Sequence, residues 1–229
     1  MLELGWNYRM FTKKKVLSNN LKIHPIGVGT WGIGGGVFAS RRNDDRDIEA
    51  IKYSLKKGQN HIDTAELYAS GHSEELVGQA IKGFERKKIF IATKVWRNNA
   101  TADRTPKAAE RSLKRLNTNY VDLLYIHACW NENRIEEYIQ GLNKAQDEGY
   151  TRAIGLSNFN LKQLKKAVSL TKNPITALQN HYSLVHQNEV DEGMKRFCKE
   201  NKILIVAYTP LEGRSNKLVD EIAQKYGKT

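Results

Sequence analysis

The chain has 229 residues, of which 40% are hydrophobic and 9% aromatic; this composition supplies a sizeable core and excludes global disorder. Its 37 basic and 25 acidic residues give a formal net charge of +12. The basic clusters are short, interrupted by acids and not interleaved with aromatic residues, so neither nucleic acid nor a membrane surface is expected as a partner. The charge suits an anionic small ligand instead.

Cysteine usage and hydropathy predict a cytoplasmic protein. The two cysteines, Cys129 and Cys198, form neither a disulfide framework nor a Cys/His cluster with zinc spacing, so no metal is expected. The N-terminal segment has no apolar signal-peptide region, and no apolar run is long enough to span a membrane. Residues 1–229 are interpreted as one domain, whose oligomeric state is not predicted.

Short apolar runs recur along the chain and predict buried strands. They are Ile26–Thr30, His61–Ala65, Lys88–Val95, Tyr120–His127, Thr151–Ser157, Ile175–Asn180 and Ile203–Tyr208. Stretches with helical periodicity separate them, many ended by glycine or opened by capping residues. These predicted helices are Asp47–Lys57, Ser73–Lys82, one opened by Thr105 as N-cap and Pro106 as first residue, Glu132–Glu148, Leu161–Thr171, Glu189–Asn201 and Asn216–Tyr226.

This alternation of strand and helix predicts a parallel sheet with helices outside it. Both a doubly wound sheet and a closed (β/α)8 barrel have this pattern, and length alone does not separate them. Reactive side chains at the ends of successive strands favour the barrel, in which catalytic residues come from the carboxyl ends of several strands. The fold class predicted is α/β, a (β/α)8 TIM barrel with seven βα units visible.

Four residues at these strand ends form a candidate catalytic set. Asp63 and Lys94 lie near the ends of the second and third strands, Tyr68 follows Asp63 in a loop, and His127 ends the fourth strand. Each also has a structural interpretation: a turn residue, a strand-capping lysine, a loop aromatic and a core histidine. Their coincidence at corresponding strand ends favours the catalytic interpretation.

The set has a consistent chemical logic. A lysine inside an apolar strand needs a partner, which Asp63 can supply. The Lys94 ammonium is expected to lower the pKa of Tyr68, so that its phenol donates a proton near neutral pH. A neutral His127 can orient a carbonyl oxygen by donating a hydrogen bond. Together these groups would protonate a carbonyl oxygen while hydride reaches its carbon.

The segments HIDTAELYASGHSEELVGQAI, KIFIATKVW and YVDLLYIH resemble the aldo-keto reductases, as do GTWGIGG, GLSNFN, ALQNHYSL and AYTPLEGR. The resemblance covers about Ile26 to Arg214. It implies an NAD(P)H-dependent carbonyl reductase on a (β/α)8 barrel, with NADP(H) preferred, NAD(H) possible and a small carbonyl compound as substrate.

The resemblance also implies roles for individual residues. Tyr68 would donate the proton, Asp63 and Lys94 would tune it, and His127 would orient the carbonyl. Cofactor contacts would come from Gly29, Thr30, Trp31, Asp63, Ser157, Asn158, Gln179, Tyr208, Thr209, Pro210 and Leu211. The substrate pocket would contain Trp31, Tyr68, Trp96 and His127, with Trp130 as a weaker candidate; ordinary packing is the alternative for the tryptophans.

One motif is rejected. The segment GVGTWG, Gly27–Gly32, matches GxGxxG, but it continues as IGGGVFAS, a poor helix start, whereas a Rossmann fingerprint must open a helix. These glycines are expected to form a loop at the barrel mouth.

The chain also departs from the family pattern. Pro is absent just after His127; Cys129 there is expected to be a buried, inert thiol rather than a reactive one. Glu212 follows YTPL where the family usually has glycine. An acidic side chain near the cofactor pyrophosphate would be unfavourable unless Arg214 pairs with it. The sequence ends at Thr229 without the family's eighth strand and helix, which would leave an open seam between the first and seventh strands. An incomplete chain is favoured over a degenerate relative with another role.

Two function classes therefore stay open. The first is an active carbonyl reductase. The second is a catalytically inactive nucleotide-binding barrel with a regulatory or interaction role, since a fold does not guarantee catalysis. A truncated, defective reductase is a further alternative to the active enzyme.

Overall fold

A computed structural model describes residues 14–213 and 216–228 of the chain. A two-stranded antiparallel hairpin precedes a parallel sheet of seven strands, whose order in space follows the order in sequence. The hairpin consists of β1 (Lys15–Val16) and β2 (Lys22–Ile23). The sheet consists of β3 (Val28–Gly29), β4 (His61–Asp63), β5 (Phe90–Val95), β6 (Leu123–Ile126), β7 (Ile154–Ser157), β8 (Ile175–His181) and β9 (Leu204–Tyr208).

Within the described residues, an α-helix follows each strand of the sheet. The helices are α1 (Asp44–Lys56), α2 (His72–Ala80), α3 (Arg104–Leu116), α4 (Ile135–Asp147), α5 (Leu161–Leu170), α6 (Glu192–Glu200) and α7 (Lys217–Lys225). None of the helices in the described part of the chain is long and apolar enough to cross a bilayer.

The sheet curls on itself. Gln179 on β8 donates a hydrogen bond to Asp63 on β4 at 2.7 Å. In a flat sheet, strands four positions apart would be roughly 19 Å from each other. The contact therefore requires β4 and β8 to face each other across an interior, which confirms the predicted barrel with seven βα units. Over residues 14–213 and 216–228, β3 and β9 each pair with one strand only, as the expected seam requires.

Side-chain alternation along the strands produces two cores. Leu124 and Ile126 of β6 face outward and pack with helix residues such as Leu142 of α4. Leu123 and Tyr125 face the interior. Because a strand has a side-chain period of two, the same division holds on β5, where Phe90 and Ala92 belong to the inner cluster.

The hairpin was not predicted from the sequence. Its Leu17, Leu21 and Ile23 are buried and belong to the inner cluster, against residues near the amino ends of the strands such as Phe90. The strands are too short for a period-two pattern to be recognised. The hairpin therefore covers the amino-terminal end of the interior, and the carboxyl end is left for the site.

Several predicted boundaries were wrong in detail. The helix expected to open at Thr105 and Pro106 begins at Arg104, because the Thr101 hydroxyl accepts the Arg104 N–H while Thr105 bonds to the Asn99 carbonyl. The helix predicted from Glu132 starts with a 3-10 turn, Glu132–Arg134. The helix predicted from Glu189 begins at Glu192, capped by the Asp191 side chain.

The first strand is shorter than predicted, and Gly27, just before it, has a packing reason. A Cβ on Gly27 would lie 2.5 Å from Nδ1 of His61, so only glycine fits beside this buried imidazole. No helix follows the GVGTWG segment until α1 at Asp44. The rejection of a Rossmann fingerprint is therefore confirmed.

Candidate active site

The candidate residues occupy inward-facing positions at the carboxyl ends of successive strands. Lys94 is two residues beyond Ala92, and His127 two beyond Tyr125, so both share the parity of the inner cluster. Ser157, Gln179 and Tyr208 occupy the equivalent positions on β7, β8 and β9. One strand parity therefore directs residues from five strands into one mouth.

Lys94 is at the centre of the site. Its side chain is 2% exposed, and its Nζ donates to the carboxylate of Asp63 and to the backbone carbonyl of Thr64, the latter at 3.0 Å. The same Nζ lies 3.2 Å from the hydroxyl oxygen of Tyr68. Asp63 also accepts the Gln179 amide, so both of its oxygens are held. The structure brings together the predicted Asp63, Tyr68 and Lys94.

The electrostatics of this trio are dominated by burial. Burial alone would lower the pKa of Lys94, but Asp63 and Tyr68 more than reverse this and raise its pKa, so the ammonium stays charged. Burial raises the pKa of Tyr68 above 10.0, and the opposing effect of Lys94 is smaller. The expectation of a lowered Tyr68 pKa was therefore wrong, because the sequence pattern does not show how deeply the phenol is buried.

His127 is held neutral. Burial and the nearby Lys94 charge lower its pKa from 6.5 to about 3, against a smaller opposing effect of Asp63. Its Nδ1 is buried without a hydrogen-bond partner in the residues that the structure describes. The ring packs edge-on against Tyr68 and Trp96, with centroid distances of 5.8 and 5.2 Å. A neutral imidazole beside the phenol agrees with the sequence-based expectation.

Aromatic side chains form a wall next to these groups. Trp31, which is 58% exposed, packs edge-on against Tyr68 with ring centroids 5.1 Å apart. Trp130 packs against Trp96 at 5.0 Å. Trp96 thus contacts both Trp130 and His127. All three tryptophans line the same cavity as Tyr68.

This cavity runs from the barrel mouth to Lys15 and Ile23 of the hairpin and has a volume of about 1520 Å³. Apart from Lys94, which is beneath its floor, every predicted catalytic, cofactor and substrate residue lines it. They are Gly29, Thr30, Trp31, Asp63, Tyr68, Trp96, His127, Ser157, Asn158, Gln179, Tyr208, Thr209, Pro210 and Leu211. The cavity also extends along the seam, past Gly27 on one side and Leu204 and Val206 on the other.

Three residues expected to bind the nicotinamide amide have protein partners. Gln179 donates to Asp63, as described above. Asn158 donates to the His127 carbonyl at 2.8 Å and accepts the Tyr208 hydroxyl at 2.8 Å. Its Nδ2 also donates to Ser157 at 3.1 Å. Asn158 has a φ of +56°, a left-handed conformation that asparagine tolerates.

The other predicted cofactor residues differ in accessibility. Thr30 is fully buried, and its hydroxyl accepts the Ser73 hydroxyl at 2.9 Å. Leu211 is 66% exposed. Thr209 has a φ of +52°, strained for a β-branched residue, on the loop after β9. Arg214, the expected partner of Glu212, lies outside the described residues.

Sequence reasoning missed several supporting residues. Glu66 accepts the Trp96 N–H at 2.5 Å and the Asn99 amide, so it holds the loop that carries Trp96. Leu67 and Ala128 line the cavity beside Tyr68 and His127. The Thr64 backbone carbonyl leaves no signal in the sequence, because every residue has a backbone carbonyl.

Cys129 is half-buried. Burial, and to a smaller extent the nearby Glu132 charge, raise the pKa of its thiol to about 11, so the thiol is protonated and unreactive at neutral pH.

The fold and site define a class: a parallel α/β barrel with a buried Asp–Lys–Tyr set and a neutral histidine at its carboxyl mouth. The sequence model of the Aldo/keto reductase family matches residues 25–227. The chain belongs to this family.

Individual relatives and solved structures agree with this family membership. The chain is 35% identical over 207 residues to aldo-keto reductase YhdN of Bacillus subtilis (strain 168), a match covering 86% of this chain and 61% of that protein. A crystal structure of the thermostable aldo-keto reductase Tm1743 with the inhibitor epalrestat has a TM-score of 0.90 and 37% identity, over 95% of this chain and 82% of that one. An aldo-keto reductase from Klebsiella pneumoniae in complex with NADPH has a TM-score of 0.83 and 27% identity, over 94% and 77%.

Proposed function

We propose that the chain reduces aldehydes or ketones to alcohols, with a nicotinamide cofactor as hydride donor and Tyr68 as proton donor. The observation that carries this proposal is the buried contact of Tyr68 with Lys94 and, through it, Asp63, at the floor of the mouth cavity. A phenol in contact with a buried ammonium is a proton donor whose conjugate base is stabilised in place.

The residues present fit a nicotinamide dinucleotide. The cavity continues without a break from Tyr68 to Leu211. Tyr208 lines it with a partly exposed ring that can stack on a planar group. The carboxamide partners would be Ser157, Asn158 and Gln179. We favour NADPH over NADH because a related structure contains NADPH and the chain carries a +12 charge.

When bound, the cofactor supplies the hydride that reaches the carbonyl carbon. Tyr68 donates its hydroxyl proton to the carbonyl oxygen, and the high pKa of the buried phenol keeps that proton in place beforehand. The Lys94 ammonium, 3.2 Å away, stabilises the phenolate that remains. Asp63 fixes the position of Lys94. Neutral His127 donates its single N–H to the same carbonyl oxygen, and Tyr68 regains a proton from solvent.

The pocket wall points to small carbonyl compounds as substrates. Trp31, Trp96 and Trp130 supply apolar contact area around the reacting groups. We also propose that residues 1–229 act as one domain in the cytoplasm. The continuous seven-stranded sheet and the unpaired cysteines, Cys129 and Cys198, support this.

The test measures cofactor oxidation by the purified chain with a panel of small aldehydes and ketones. Tyr68→Phe should lower kcat by about 10²- to 10⁴-fold, the usual contribution of a positioned general acid, while NADPH affinity stays unchanged. Tyr53→Phe, at a tyrosine 62% exposed on α1, is the matched control and should keep full activity. Equal activity of wild type and Tyr68→Phe would remove Tyr68 from its role. Cofactor binding without any turnover would favour the regulatory alternative.

A further inference from the structure

A second cluster of reactive side chains lies at the barrel mouth, outside the proposed catalytic set. We call it the His–Glu cluster: His181, His186, Glu189 and Glu212. The ligand atoms offered by His181, His186 and Glu189 all lie within 4.8 Å of one another. Oε2 of Glu212 lies 2.8 Å from Nε2 of His181. Two imidazoles and one carboxylate therefore lie close together, and the Glu212 carboxylate lies beside His181.

The ring nitrogens of this cluster are unsatisfied. Nε2 of His181 and Nε2 of His186 are both buried without a hydrogen-bond partner within residues 14–213 and 216–228. The Glu212 oxygen is close to His181 but not aligned for a hydrogen bond, and Glu189 is 3.5 Å from His186. Each Nε2 atom is thus free to take an ion as its partner, and the His186, Glu189 and Glu212 side chains, which are 35%, 41% and 44% exposed, are accessible to an ion from solvent.

His72 shows what an ordinary histidine–carboxylate contact looks like in the same molecule. Its Nδ1 is 2.8 Å from Glu75 and its Nε2 is 3.0 Å from Asp44, and both contacts have hydrogen-bond geometry. The two carboxylates lie on opposite sides of that ring, so they serve as separate partners. In the His–Glu cluster the ligand atoms of His181, His186 and Glu189 instead lie within 4.8 Å of one another, so that one ion can reach all three once a ring has turned.

The loops after β8 and β9 bring the residues of the His–Glu cluster together. His181 ends β8, and the 3-10 helix Asn188–Val190 turns the chain back so that the Glu189 carboxylate accepts the backbone N–H of His181 at 3.3 Å. Glu212 arrives from the loop after β9. The sequence spacing, His-x4-His-x2-Glu with a distant Glu, lacks the Cys/His pairs of zinc motifs, so sequence analysis did not find it.

We propose that His181, His186 and Glu189, with Glu212 as fourth ligand, bind a divalent transition-metal ion of the Zn²⁺ type. Imidazole and carboxylate are the ligands such ions take, in a four-coordinate site. The two histidine rings are stacked, with centroids 3.8 Å apart. Because the lone pair lies in the ring plane, binding must turn at least one ring out of this stack.

The ion would join two loops beside the cavity. It would tie the segment after β8 to the segment after β9 that carries Thr209 to Glu212. His181 also stacks on Tyr208, with centroids 5.3 Å apart, so the ring would be held against the wall of the cavity. The proposed role is structural, and it stands whether or not the chain reduces carbonyl compounds.

The experiment titrates the full chain, stripped of metal with a chelator and dialysed, with Zn²⁺ by calorimetry and with Co²⁺ by visible absorption. We expect one ion per chain and a Co²⁺ spectrum without a thiolate charge-transfer band, which excludes Cys129 and Cys198 as ligands. His186→Gln and Glu189→Gln should each weaken Zn²⁺ binding by at least about tenfold, since even outer partners of metal ligands contribute factors of that size.

His24→Gln is the matched control, because Nδ1 of His24 already contacts the Ile26 carbonyl at 2.8 Å. It should bind Zn²⁺ as the wild type does. Circular dichroism of the stripped variants verifies that each is folded, and Zn²⁺ should raise the Tm of wild type but not of His186→Gln. Absence of binding by the wild type, or equal affinity in His186→Gln and Glu189→Gln, overturns the proposal.

Discussion

The two sides of the barrel differ in how completely their strands are covered. On the closed side, every residue of β5, β6 and β7 is buried. On the seam side, every residue of β9 is only partly buried, and β3 has two residues, neither of them buried. Strands with a partner and helices on both flanks lose contact with water; strands beside the seam do not.

This difference in burial separates two sets of site residues. Lys94 and His127 belong to the closed side, where exclusion of water strengthens the Lys94–Asp63 attraction and keeps His127 neutral. Tyr208 and the strained Thr209 belong to the seam side, where a large ligand can lie along the cavity. The charge states of the buried groups thus depend on strands covered on both sides, whereas the cavity is open along the strands beside the seam.

The largest expected effect is loss of the buried charge pair. Lys94→Met leaves the Asp63 carboxylate without its ammonium, and removal of one partner of a buried pair typically costs about 3–5 kcal/mol of unfolding free energy. Chemical denaturation measures this loss, and carbonyl reduction should fall with it. Lys52→Met breaks the exposed Lys52–Glu49 pair and should change stability little. Similar losses for both variants would contradict the proposed difference in burial.

A matched leucine pair compares the two sides directly. Leu123 on β6 and Leu204 on β9 both face the inner cluster, but only Leu123 is fully buried. Leu123→Ala should lower the unfolding free energy by about 2–5 kcal/mol, the range for buried leucines. Leu204→Ala should cost less than half as much, because solvent already reaches that side chain. Equal costs in urea denaturation would show that the seam is as well packed as the closed side.

A third effect concerns the pH dependence of stability. Because the pKa of His127 is about 3 when folded and near 6.5 when unfolded, the unfolded chain binds more protons between these values. Its contribution to stability is therefore complete above pH 6.5 and is lost as the pH falls towards 3. His127→Gln should reduce this slope, leaving the part due to His61, whose pKa burial also lowers. An unchanged slope would mean that His127 is hydrated.

Sequence reasoning succeeded where a pattern repeats. Seven apolar runs with helices between them predicted a parallel α/β sheet. The strand-end positions of Asp63, Lys94 and His127 then favoured the barrel and predicted that these residues share one mouth. It failed where the signal was short or depended on depth. The hairpin has strands of two residues, too few for a period, and the raised pKa of Tyr68 follows from burial that no spacing encodes.

Some candidate contacts depend on residues far apart in the chain. Gln179 was assigned to a cofactor amide, yet its Nε2 donates to Asp63 from 116 positions away. The convergence of Glu212 with His181 also needs β8 and β9 to be neighbours, which the sheet provides. Neither contact could have been predicted from local spacing.

The sequence by itself determined the architecture and the chemical groups at the site, because side-chain periodicity and strand-end position are local properties. Tertiary structure alone decided which groups are charged, which are neutral and which face each other, because these depend on the exclusion of water and on the curl of the sheet. Lys94 illustrates both kinds of information. Its place in an apolar strand is visible in the sequence, whereas its charged state depends on Asp63, which the fold brings within hydrogen-bond contact.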